Sequence, residues 1–134
     1  MATNTSDRTQ LVEWIALTID CADPHALADF YGDGLGADVR RRTEDSAWLV
    51  LDGLPIILRA VEGYRAPTWP STEVPLQTHF EVMVDDPDEA AAHLATHGAT
   101  FAEHQDPDDP HFVVMLEPAG QPFCLIRSSM ATRL

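Results

Sequence analysis

The chain has 134 residues, 45% of them hydrophobic, enough for one domain with a real core. Its 22 acidic and 8 basic residues leave a net charge of −14, a field that repels nucleic acid and favours cationic small molecules or plain solubility. No apolar run approaches the roughly 20 residues needed to span a bilayer, so no membrane association is expected.

Residues 1–10, MATNTSDRTQ, are polar and lack the apolar stretch of a secretory signal. They read as a flexible tail before a single domain over 11–134, and the cytoplasm is the expected compartment. Ile15, Leu17 and Ile19 then alternate with Ala16, Thr18 and Asp20, the period of a half-buried strand. Cys21 ends this strand. Cys21 and Cys124 are two cysteines, too few for a disulfide framework, and are expected as reduced thiols.

Asp23 is placed to cap a helix beginning at Pro24, where the missing N–H costs nothing. Ala26, Leu27, Phe30 and Tyr31 give that helix an apolar stripe, and Gly32, Gly34 and Gly36 end it. Strands are expected at Ala37–Arg41, Ala47–Leu51 and Pro55–Ala60, closing a first unit over about 11–60. Residues 61–76 (VEGYRAPTWPSTEVPL) carry three prolines without periodicity and read as a crossover.

The same order then repeats over about 77–127. Gln77–Val84 alternates Phe80, Val82 and Val84 with His79, Glu81 and Met83. Asp86, Pro87 and Glu89 form a capping-box-like start; Ala90, Ala91 and Leu94 supply the stripe and Gly98 the stop. Strands follow at Thr100–Ala102, Phe112–Leu116 and Pro122–Ile126. Both copies end alike, in DGLPIIL (Asp52–Leu58) and AGQPFCL (Ala119–Leu125). A duplicated supersecondary unit implies an α+β fold: two tandem β-α-β-β-β units forming a curved mixed sheet around a cleft.

The paired units, the segment HFEVMVDDPDEAAAHLATHGA and the PAGQPFCL ending together resemble the vicinal oxygen chelate superfamily over Trp14–Arg127. That group includes glyoxalase I, extradiol dioxygenases and bleomycin-resistance proteins, and the likeness is strongest to small actinobacterial glyoxalase-like proteins. The resemblance implies a metal ligand on the first and last strand of each unit. Registering the two Asp-Pro pairs and the two glycines Gly53 and Gly120 puts Ala16, Ile57, His79 and Cys124 at those positions. Ala16 and Ile57 have no donor atoms, so no metal and no cofactor is expected, nor the usual glyoxalase or dioxygenase chemistry. The superfamily's frequent homodimers make self-association an expectation.

His79 is the most informative single residue. With Glu81 and Cys124 it could hold zinc, serve in proton transfer, or simply be hydrogen-bonded to polar neighbours. The other cleft candidates are Trp14, Thr18, Asp20, Trp48, Arg59, Tyr64, Trp69, Met83 and Cys124. Arg59 reads either as a clamp for an anion or as an ion-pair partner of Asp20 or Glu81. Tyr64 and Trp69 read as a roof over a small-molecule pocket or as interface residues. His104–His111 (HQDPDDPH) mixes histidines and aspartates, but its irregular spacing reads as a solvated connection. Three functions remain open. One is a binding protein for an aromatic or cationic small molecule; another is a metal-independent isomerase, lyase or tailoring enzyme using His79 with Glu81 or Asp20. The third is an interaction module with a vestigial cleft.

Overall fold

In a computed structural model that describes residues 11–134, two Asp-Pro pairs each open an α-helix. The tail expected over residues 1–10 lies outside the described residues. Strand β1 (Leu17–Cys21) leads into helix α1 (Pro24–Asp29), which runs on as a π-helical turn, Phe30–Gly34. The Asp23 carboxylate accepts from the His25 and Ala26 amides, satisfying two of the N–H groups that a helix start leaves unpaired. Strands β2 (Asp38–Arg42), β3 (Ser46–Leu51) and β4 (Leu54–Ala60) complete the first unit. The second unit contains β5 (Glu81–Val84), α2 (Pro87–Ala95), β6 (Thr100–Phe101), β7 (Phe112–Leu116) and β8 (Pro122–Arg127). Asp86 caps α2 through the Asp88 and Glu89 amides.

The tandem units expected from the repeat are both present, and each makes its own mixed four-stranded sheet. The orders are β1-β4-β3-β2 and β5-β8-β7-β6. In each, the opening strand runs parallel to the closing strand and the remaining pairs are antiparallel. Helix α1 lies on β3 and β4, and α2 on β6, β7 and β8.

The units share one core. Leu27, Phe30, Tyr31, Leu49, Ile56 and Leu58 from the first meet Leu94, Met115, Phe123 and Leu125 from the second. The π-helical turn makes the join: the Phe30 ring centroid is 5.9 Å from that of Phe123, and Tyr31 meets Phe80 edge-on at 5.9 Å. Gly34 admits α2 closely, since a Cβ there would lie 3.1 Å from Leu94 Cδ2.

Strand β5 is shorter than the alternation over Gln77–Val84 predicts, for a covalent reason. In the parallel ladder the Cys124 amide donates to the Phe80 carbonyl at 2.9 Å. The next donor toward the start of β5 would be residue 122, a proline without an N–H. The Gln121 side-chain amide donates to the Thr78 carbonyl instead, so the ladder stops at Phe80 and a side chain holds Thr78. The alternation itself survives, with Phe80, Val82 and Val84 packed on the core while His79, Glu81 and Met83 are exposed.

Candidate functional site

Between β1, the crossover and the approach to β5 lies a cavity of about 560 Å³, within the size range of small-molecule sites. Thr18 and Asp20 line it from β1, and Tyr31 from the π-helical turn. Tyr64, Arg65, Pro67, Val74 and Pro75 line it from the crossover, so the crossover forms a wall of the cavity. His79 and Phe80 line it from the approach to β5, and Gln121 from the turn between β7 and β8. A second, larger groove of about 850 Å³ takes Glu81 and Met83 together with Leu35, Leu54 and the C-terminal residues.

The expected site residues therefore divide. Thr18, Asp20, Tyr64 and His79 share the first cavity; Glu81 and Met83 line the second groove. His79 Nε2 lies 3.6 Å from Glu81 Oε1 where the two sites adjoin. Cys124 pairs in register with Glu81 across β5 and β8, and its thiol is pushed up by burial and by the Glu81 charge. Arg59 donates to Asp20 at 3.0 Å. Trp48 is half-buried in register with Ile57, with the Arg41 guanidinium 5.9 Å from its ring centroid. Trp69 meets His104 edge-on at 5.2 Å, and Trp14 is exposed.

Ala16 and Ile57 present no donor atoms, and among the described residues no three His, Cys, Asp or Glu side chains are grouped to hold a metal ion. Of the four positions, those of Ala16 and Ile57 therefore offer no side-chain atom to a divalent ion. In His104–His111 the aspartates serve their own turns: Asp106 accepts from the Asp108 amide and Asp109 from the His111 amide.

Sequence reading passed over Glu117, which lies just past β7 and is 3% exposed. Its Oε1 accepts from the Ala119 and Gln121 amides, 2.9 Å each, and its Oε2 accepts from the Tyr31 hydroxyl at 3.5 Å. Desolvation dominates over these bonds and raises the carboxyl from 4.5 to about 7. Burial, followed by the nearby Glu117 charge, pushes Tyr64 up to about 12 and Cys21 up to about 11. The same two causes hold Tyr31 well above the usual phenol range. Of these groups, Tyr31 and Tyr64 line the cavity.

The turn organised by Glu117 also seats the crossover. Gly120 has φ +86°, and a Cβ there would lie 2.7 Å from the Ala66 Cβ. Gly120→Ala is expected to cost about 1–3 kcal/mol, from left-handed strain and this collision together. Adding Ala66→Gly should return the part due to the collision. Urea denaturation of the single and double variants measures both; an unchanged midpoint for Gly120→Ala would show that the crossover does not rest there.

A profile for the family described as "Glyoxalase-like domain" matches residues 16–126. No curated protein sequence is significantly similar to the chain. Among solved structures, a glyoxalase/bleomycin resistance protein/dioxygenase family enzyme from Burkholderia phytofirmans PsJN superposes with a TM-score of 0.65 at 19% identity, over 84% of this chain and 96% of that one. The glyoxalase family protein from Enterococcus faecalis gives 0.63 at 21% identity, over 87% and 98%. The genomically encoded fosfomycin resistance protein FosX from Listeria monocytogenes gives 0.63 at 12% identity, over 87% and 93%. Another structure of FosX holds Mn(II) and sulfate. At these identities the likeness is one of fold.

Proposed function

The chain belongs to the glyoxalase-like domain family, and from that premise we propose that it is a small-molecule binding protein whose ligand occupies the cavity beside β1. One observation carries this reading: a cavity of about 560 Å³ combines apolar side chains, among them Leu17, Ile19, Val61 and Phe80, with polar groups such as Asp20, Tyr64, Arg65, His79 and Gln121 on separate elements. Sites for small ligands combine these two properties. The donorless Ala16 and Ile57 support binding without a divalent ion. The −14 net charge and Tyr64 suit a ligand with an aromatic or cationic part. Strands β1 and β5 each have one neighbour in their sheets, which supports self-association as a homodimer through an exposed edge.

A thermal-shift and tryptophan-fluorescence screen with aromatic, cationic and thiol-conjugate compounds tests the reading. A ligand at 100 times its Kd stabilises the native state by about 2.7 kcal/mol, a shift well above the noise of such a screen. Tyr64→Ala should weaken any hit by about tenfold, in keeping with the loss of a buried aromatic contact. Silence across all three compound classes would sink the reading.

The His79–Glu81 contact at 3.6 Å favours a second reading, a metal-independent catalyst that moves a proton at His79 Nε2. Turnover of a hit that disappears in His79→Ala, with the fold retained, would establish it. A hit recovered unchanged after incubation supports binding alone.

A further inference from the structure

Glu117 joins three walls of the cavity from beneath. Its Oε1 holds the turn that carries Gln121, a lining residue whose side chain reaches the Thr78 carbonyl. That turn supports the crossover at Ala66. Its Oε2 has one hydrogen bond among the described residues, a long one of 3.5 Å from Tyr31, itself a lining residue. A carboxyl oxygen this buried and this sparsely bonded retains acceptor capacity.

We propose that ligand binding in this cavity is linked to a proton on Glu117: a ligand bearing a protonated amine binds with Glu117 ionised, and the proton from the carboxyl passes to solvent as the cation enters. The inference rests on the cavity being the ligand site and adds the chemical class of the ligand.

Hydrogen-bond polarity explains the link. When Glu117 is ionised, the Tyr31 O–H donates to Oε2, and the Tyr31 oxygen keeps lone pairs for an N–H donor. When Glu117 is protonated, its own O–H can donate to the Tyr31 oxygen, which frees the phenol proton for an acceptor instead. A cation brought into low dielectric nearby favours the ionised form. Burial raises the Glu117 carboxyl to about 7, so this exchange falls near neutral pH. Tyr31, Tyr64 and Cys21, which feel the same charge, are pushed too high to compete. The remaining charged groups on the cavity are Asp20, paired with Arg59, Arg65, paired with Glu73, and His79, beside Glu81. His79 also lines the cavity and requires its own control.

The experiment is isothermal titration calorimetry of the full chain with 2-phenylethylammonium chloride, against 2-phenylethanol and phenylacetate, at pH 6 and pH 8 in buffers of different ionisation enthalpy. The cation is expected to bind about tenfold more tightly at pH 8 than at pH 6, with a buffer-dependent heat that reports proton release. The alcohol should show neither effect. Glu117→Gln, which keeps an oxygen acceptor for the turn, should abolish the pH slope, and Tyr31→Phe should weaken the cation alone. His79→Gln, whatever it does to affinity, should keep the slope. Circular dichroism checks that each variant is folded. A slope that survives Glu117→Gln, or one that vanishes in His79→Gln, overturns the assignment to Glu117. If the alcohol or the acid binds and the cation does not, the ligand class falls while the cavity remains a small-molecule site. If none of the three binds, this inference falls; if the wider screen is silent too, the proposed function falls with it.

Discussion

Phe30→Ala should destabilise the protein by about 3–5 kcal/mol, the cost of removing a buried aromatic ring and leaving a cavity. Phe30 is 2% exposed and touches both halves of the core: Tyr31 on its own unit, at 5.5 Å between centroids, and Phe123 on the other. Its loss therefore weakens the docking of one unit on the other, beyond the stability of either sheet. Urea denaturation followed by two probes separates these effects. Trp14, Trp48 and Trp69 all precede the second unit, with Trp69 packed on His104, so fluorescence reports the first unit and its junction with the second while far-ultraviolet circular dichroism reports both sheets. Coincident transitions at a lower midpoint mean the units still unfold together. Separated transitions mean that the Phe30 contact supplies their cooperativity. A loss below about 1 kcal/mol would contradict the shared core.

A second large effect concerns pH. The Glu117 carboxyl is raised from its ordinary 4.5 to about 7, so the native state holds the proton more tightly than the unfolded chain. A raised carboxyl costs stability when ionised. The penalty is absent below about pH 4.5, grows as pH rises, and is complete above about pH 7. A gap of this size corresponds to about 3 kcal/mol. Glu117→Gln removes the titration while leaving an oxygen for the Ala119 and Gln121 amides. The stability of the variant relative to the natural chain should therefore rise by about 3 kcal/mol between pH 4.5 and pH 8, measured by urea denaturation at each pH. Taking the difference between the two proteins cancels the other carboxylates. A difference that stays flat with pH would show that Glu117 is solvated.

The fold was legible where the signal is local. Asp23 with Pro24, and Asp86 with Pro87, announce helix starts because a short carboxylate and a ring without an N–H suit a first turn, and an apolar stripe at helical spacing follows each. Alternation identified the paired strands, because one side of each faces a helix-covered core. It overran at Gln77–Phe80, since nothing in that segment tells it that its partner begins with a proline. The site was less legible. Tyr64, on a proline-rich crossover, reads from sequence either as a pocket roof or as an interface residue, and it lines the cavity. Glu117 sits in EPAGQP, where no periodicity marks it, and its hydroxyl partner Tyr31 lies in the other unit, far away in the chain. Trp69 likewise finds His104 through tertiary structure that no period encodes.

In each sheet the last strand returns to lie beside the first, β4 against β1 and β8 against β5, and among the described residues no ladder joins one sheet to the other. Every backbone pairing is therefore completed by chain from one side of the crossover. A permuted chain opened within 61–76, its ends joined by a linker, would keep each of the six strand pairings within one stretch of chain and would interrupt the wall over the cavity. Architecture here tolerates reshuffling, and it is the ligand-facing segment, not the scaffold, that depends on the order in which the halves were joined.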